Sequence, residues 1–170
     1  MFLRAFVEIR VPAEAAAGIL RRLPQTLVES FATEAIDHGH TVLTELAMPM
    51  GSRRISRQVE IVLGDAIETP SRTWLPLSWK ASSAANFFPL LEGELEAAPL
   101  GIELTQIGLS ARYKPPFGVV GSTLDRMFLH RVAEATVSDF LQHVAAAVEN
   151  EWRLQRIAGR AGSAVPKPAL

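Results

Sequence analysis

The chain has 170 residues, enough for one domain and short for two. Hydrophobic residues make up 48%, so a sizeable core can form, while 17 basic against 18 acidic side chains leave a net charge of −1. That balance gives no long-range attraction for nucleic acid or an anionic membrane, and the lack of cysteine excludes disulfides, thiolate nucleophiles and cysteine-ligated zinc.

Residues 2–11 are rich in strand formers (Phe2, Phe6, Val7, Ile9, Val11) and predict a strand halted at Pro12. Arg4 and Glu8 interrupt this apolar run, and no cleavage site follows, so it does not read as a signal peptide. No stretch approaches the roughly 20 apolar residues of a membrane span, and the expected location is the cytoplasm. Pro12 suits an early helical position, and Ala16, Ile19, Leu20 and Leu23 recur at helical spacing over Ala13–Leu23. After Pro24 a second short helix is expected over Gln25–Ala35.

From His40 to Tyr113 the period changes to two. Strands are expected at Thr41–Met48, Arg54–Leu63, Arg72–Ala81, Phe87–Ala97 and Ile102–Lys114, separated by turn signals such as Gly64-Asp65 and Ala98-Pro99-Leu100-Gly101. In Leu91-Glu92-Gly93-Glu94-Leu95-Glu96-Ala97 the glutamates share one face, and the small and apolar residues share the other. Such a strand is half-buried, and a succession of them joined by short turns predicts an antiparallel meander with one covered face.

The loop Pro115-Pro116-Phe117-Gly118-Val119-Val120-Gly121 then leads into Ser122-Thr123-Leu124-Asp125, which resembles a capping box. The helix it opens is expected to reach Ile157, about 50 Å at 1.5 Å per residue. On a 100° wheel, Leu129, Ala133, Val137, Phe140, Leu141, Val144, Val148 and Trp152 form one stripe, with Arg131, Ser138, Gln142, Glu149, Arg153 and Arg156 opposite. That stripe suits a helix lying across the covered face of the meander. Small residues there (Gly93, Ala97, Ala111, Ala133) weaken side-chain filling and leave room for a cavity. Residues 158–170, with Gly159, Gly162, Pro166 and Pro168, read as a disordered tail after a domain of residues 1–157.

The order of strand, two short helices, strand meander and long C-terminal helix resembles the helix-grip arrangement of START-like domains, nearest to the polyketide cyclase/dehydrase-type proteins called SRPBCC. The residues that carry the likeness run from Leu109-Ser110-Ala111-Arg112-Tyr113-Lys114 through Pro115-Pro116-Phe117-Gly118 to Gly121, Leu124-Asp125-Arg126 and Leu129–Thr136. The resemblance implies an α+β fold in which a curved antiparallel sheet of six or seven strands wraps around the terminal helix. It also implies a pocket between them for lipids, sterols, polyketides, hormones or aromatic compounds, with cyclisation or dehydration in a minority of members. It supplies no universal catalytic motif, so function must come from the site.

The expected pocket lining is Leu77, Trp79, Leu91, Leu95, Leu109, Tyr113, Phe117, Arg126, His130, Ala133 and Val137. His130 and Arg126 lie in the first turns of the long helix, where an imidazole can act as acid or base and a guanidinium can anchor an anion. The plainer reading pairs Arg126 with an acid such as Glu103 or Glu45 and packs His130 in the interior. Tyr113, the only tyrosine, is placed to cap the cavity or to pack. Asp37-His38-Gly39-His40 puts two imidazoles on one face of a strand, but no further ligand is spaced to complete a metal site, and a surface turn is the better account. Phosphate-loop, nucleophile-elbow and dinucleotide motifs are absent, so no cofactor is expected. Three functions follow. The first is binding or carriage of a small apolar or amphipathic molecule. The second is a metal-free cyclase/aromatase-like enzyme using His130, Arg126 and Tyr113. The third is an interaction module in which Val148, Trp152 and Ile157 meet another chain. Monomer and dimer are both open.

Overall fold

The computed structural model describes residues 2–47, 59–81, 90–114 and 126–163. In chain order the elements are β1 (Phe2–Ile9), α1 (Ala13–Leu20), α2 (Gln25–Ala47), β2 (Val59–Leu63), β3 (Ile67–Thr69), β4 (Arg72–Ala81), β5 (Leu90–Pro99), β6 (Thr105–Lys114) and α3 (Arg126–Ser163). The strands form one antiparallel sheet in the order β1-β6-β5-β4-β2, with β3 also pairing with β4. The expected fold class is met: a curved sheet, two helices after the first strand, and a long C-terminal helix gripped by the sheet.

Register explains which face is covered. Leu75 stands opposite Leu95, and Leu95 opposite Leu109. Further along the strands, Ile61, Trp79 and Leu91 follow one another across β2, β4 and β5. All six are at most 4% exposed, so the alternation in β4 and β5 points this face to the core. The other face is wet. Arg72 there lies over the Trp74 ring, 4.7 Å from its centroid, and pairs with Glu96 at 3.0 Å.

α3 lies against β1 and β6 on one side and α1 and α2 on the other. Its apolar stripe is buried as the wheel predicts: Val137, Phe140, Leu141, Val144 and Val148 are all at or below 1% exposure. Val132 and Thr136 on one flank of the stripe and Ala145 on the other are buried too, and α3 also packs against α2. The Phe140 ring meets Trp79 edge-on, with centroids 5.5 Å apart, a favoured aromatic geometry that fixes helix to sheet.

Three elements differ from the sequence reading. The strand expected at Thr41–Met48 is absent as far as Ala47, because α2 continues helically through Ala47. Val28, Ala32, Ala35 and Ile36 already define a helical face packed in the core, and the helix carries on past it. Asp37–His40 therefore lies in a helix and not in a surface turn. The second difference is β3, a short strand after Gly64. Together β2 and β3 form one interrupted edge against β4, broken where Pro76 stands. The Gly64 N–H donates to the Pro76 carbonyl at 2.7 Å, and a Cβ on Gly64 would sit 3.1 Å from the Pro76 ring. The third is α3, which runs past Ile157 to Ser163. The strand starts expected at Arg54 and Phe87 fall outside the described residues, and β6 begins at Thr105 after a Leu100–Leu104 turn.

Candidate functional site

The concave face of β4, β5 and β6 is walled by Leu77, Trp79, Leu91, Leu95 and Leu109, which are between 0% and 4% exposed. α3 presents Ala133 at 7% and Val137 at 1% as part of the same buried surface. These seven residues of the expected lining are therefore brought into the core. Tyr113 holds the register position opposite Leu91, in line with Trp79 and Ile61. The side chains of Tyr113 and Arg126, and all of Phe117, lie outside the described residues.

The small residues of this face do two different jobs. Ala97, Ala111 and Ala133 are buried and offer only a methyl group to the interior. Gly93 opens no space. A Cβ there would lie 2.5 Å from the Ser110 carbonyl oxygen and 2.8 Å from the Ala111 Cβ. Its role is to let β5 and β6 approach closely, which tightens the curl of the sheet.

His130 is the polar group of interest at the start of α3. Its Nε2 lies 3.1 Å from Glu134 Oε1, one helical turn on, and its side chain is 37% exposed. Its Nδ1 is buried and has no hydrogen-bond partner among the described residues. When Nε2–H donates to the carboxylate, the neutral ring presents Nδ1 as an acceptor. A buried acceptor without a partner costs roughly 1–3 kcal/mol, so it marks a place where a donor group is stabilising. The His130 side chain is thus partly exposed while its Nδ1 is shielded from solvent.

A second polar cluster is not evident from the sequence. Asp139 on α3 meets His38 on α2 at 3.1 Å, and His143 meets Glu34 at 3.1 Å. The His143 ring stacks on Phe31 at 5.6 Å between centroids, and its Nδ1 lies 2.9 Å from the Asp139 carbonyl oxygen, which accepts from an Nδ1–H. These groups tie α2 to α3. Among the described residues, no set of three histidine or carboxylate side chains is placed to hold a metal ion. The signal in the sequence is the i, i+4 pair Asp139 and His143 on α3, but a reading that puts His38 in a turn hides its partner.

The far end of α3 bears on the partner-surface reading. Val148 is fully buried and Trp152 packs on the core, whereas Leu154 and Ile157 are exposed at 52% and 59%. Two of the three residues considered for a partner surface are therefore committed to the domain itself. No described helix is long and apolar enough to cross a membrane.

A sheet gripping a long C-terminal helix, entered through β1 and two helices, decides the architecture. The fold is START-like. No protein-family model and no curated protein sequence matches the chain. Solved structures do match. A conserved protein from Geobacillus kaustophilus is 14% identical, with 89% of this chain and 97% of that one covered at a TM-score of 0.52. The Zhui aromatase/cyclase from Streptomyces sp. R1128 is 16% identical over 92% of this chain and 95% of that one, with a TM-score of 0.45. A START superfamily protein from Mycobacterium smegmatis is 14% identical over 91% and 98%, with a TM-score of 0.43. At 14% identity the likeness to the Geobacillus protein is one of fold.

Proposed function

We propose that this START-like domain binds a small amphipathic molecule between the concave sheet and the first half of α3. Two observations carry the reading: the buried Nδ1 of His130, without a hydrogen-bond partner among the described residues and about one turn before the buried Ala133 on α3, and the apolar sheet face that Trp79, Leu91, Leu109 and Ala111 make. An apolar body satisfies that face, and a hydroxyl or phenol on it satisfies the nitrogen. Burying about 100 Å² of apolar ligand surface contributes about 2.5 kcal/mol, so micromolar affinity, about 8 kcal/mol, requires a skeleton that buries several times that area. Carriage, with no chemical step, needs nothing more.

The test is extraction of the purified chain under mild denaturation, with mass spectrometry of the extract. The expected result is a discrete co-purifying compound with an apolar skeleton and a hydrogen-bond donor, reduced in amount by His130→Phe. Extracts holding no compound in stoichiometric yield, from protein expressed in more than one host, contradict the proposal.

A further inference from the structure

We propose a second binding site, at the opposite end of α3, for a small phosphate-bearing anion. His130 and Trp152 are separated by about 33 Å along the helix at 1.5 Å per residue, so this site is independent of the grip interior. Its core is a groove of about 390 Å³ between the β1–α1 junction and the last turns of α3. Arg10 lines it from the junction, and Arg153, Arg156 and Arg160 line it from the helix. The three helical arginines fall at i, i+3 and i+7, so they stand on one face.

Positive charge is in excess in this groove. Four guanidinia meet one carboxylate, Glu149, whose Oε1 already accepts the Arg10 backbone N–H at 3.3 Å. None of the four guanidinia forms an ion pair among the described residues, in contrast to Arg21 with Glu68 and Arg72 with Glu96. Like charges held together repel, and only Arg160 lies in the last turn, where the helix dipole offers relief. Guanidinium forks that line one groove match the oxygens of a phosphate group. Trp152, half-buried on the core, adds a flat apolar wall.

The scale of the groove selects the ligand. Its volume falls within the range of about 300–1,000 Å³ typical of small-molecule sites. The whole chain carries a net charge of −1, so nothing draws an extended polyanion to it. A compact anion with two or more charges fits best, either free or as the headgroup of a lipid.

Calorimetric titration of the full chain with sodium pyrophosphate tests this, alongside flotation with phosphatidylcholine vesicles with and without phosphatidylinositol 4-phosphate. The variants are Arg153→Gln/Arg156→Gln in the groove and Arg131→Gln on the exposed face near the other end of the helix. All three arginines are exposed, and thermal melts confirm that each variant is folded. Saturable pyrophosphate binding is expected, weakened roughly tenfold or more in the double variant and unchanged in Arg131→Gln. Binding only to phosphoinositide vesicles, lost in the double variant, assigns the same phosphate chemistry to a lipid headgroup. No binding in either arm, or equal binding by the double variant, overturns the proposal, as does binding of poly-glutamate without pyrophosphate.

Discussion

At Gly93 the absence of a side chain is a packing requirement. The position is extended within β5 and paired with Ala111, and the Ser110 carbonyl oxygen occupies the place of a Cβ. Gly93→Ala is expected to lower the unfolding free energy by about 2 kcal/mol, the usual scale for a forced backbone shift in a packed interior, as read by urea denaturation. An unchanged midpoint would mean that β5 and β6 can separate at no cost. Small residues on the covered face are visible in the sequence, but their meaning is not. Alternation alone cannot tell a glycine that leaves space from one whose space a neighbouring carbonyl already fills. His130 is readable as a helix-face residue near the site, whereas its pairing with Glu134 and the lack of a partner for its inner nitrogen among the described residues depend on rotamer and surroundings.

Between elements, α2 and α3 are joined by histidine–carboxylate contacts around an aromatic stack. Glu34→Ala and His143→Ala should each destabilise the domain, His143 the more because it also loses the Phe31 contact. A double-mutant cycle is expected to give a coupling of about 0.2–1 kcal/mol for the half-exposed pair. Zero coupling would show that the contact does not form in solution. Along α3, Gly159 sits in a helical turn, and a methyl group added there would meet nothing within 4 Å. Gly159→Ala should therefore raise helicity by circular dichroism and stabilise the chain by up to about 1 kcal/mol. A tail that is unstructured from residue 158 would show no change. β4, β5 and the buried stripe of α3 are legible because period 2 and period 3.6 each repeat over many residues. The second half of α2 is not: Thr41-Val42-Leu43-Thr44 are strand formers by propensity, yet the helix runs on through Ala47, so local preference is overridden there. β3 is too short for any period to register.

The molecule, over its described residues, has a buried cluster drawing on β1, both early helices, the meander and α3. Its overall order is legible from the succession of patterns, because few architectures join a strand, two helices, a meander and a terminal helix in that sequence. Ligand chemistry is less so, since it depends on how far α3 stands off the sheet. Trp79 and Phe140 close that gap in one place, while alanines at 97, 111 and 133 leave it to methyl groups elsewhere. The central claim is that an apolar molecule enters beside them. Fluorescence titration with Nile red, which is uncharged and so indifferent to the arginine groove, measures this directly in the native chain and in Ala133→Phe. Saturable binding with a blue-shifted emission is predicted, weakened at least about tenfold when the larger ring fills the site, the cost of losing some 1.4 kcal/mol of contact. Absence of saturable binding, or equal binding by a folded Ala133→Phe, would contradict it.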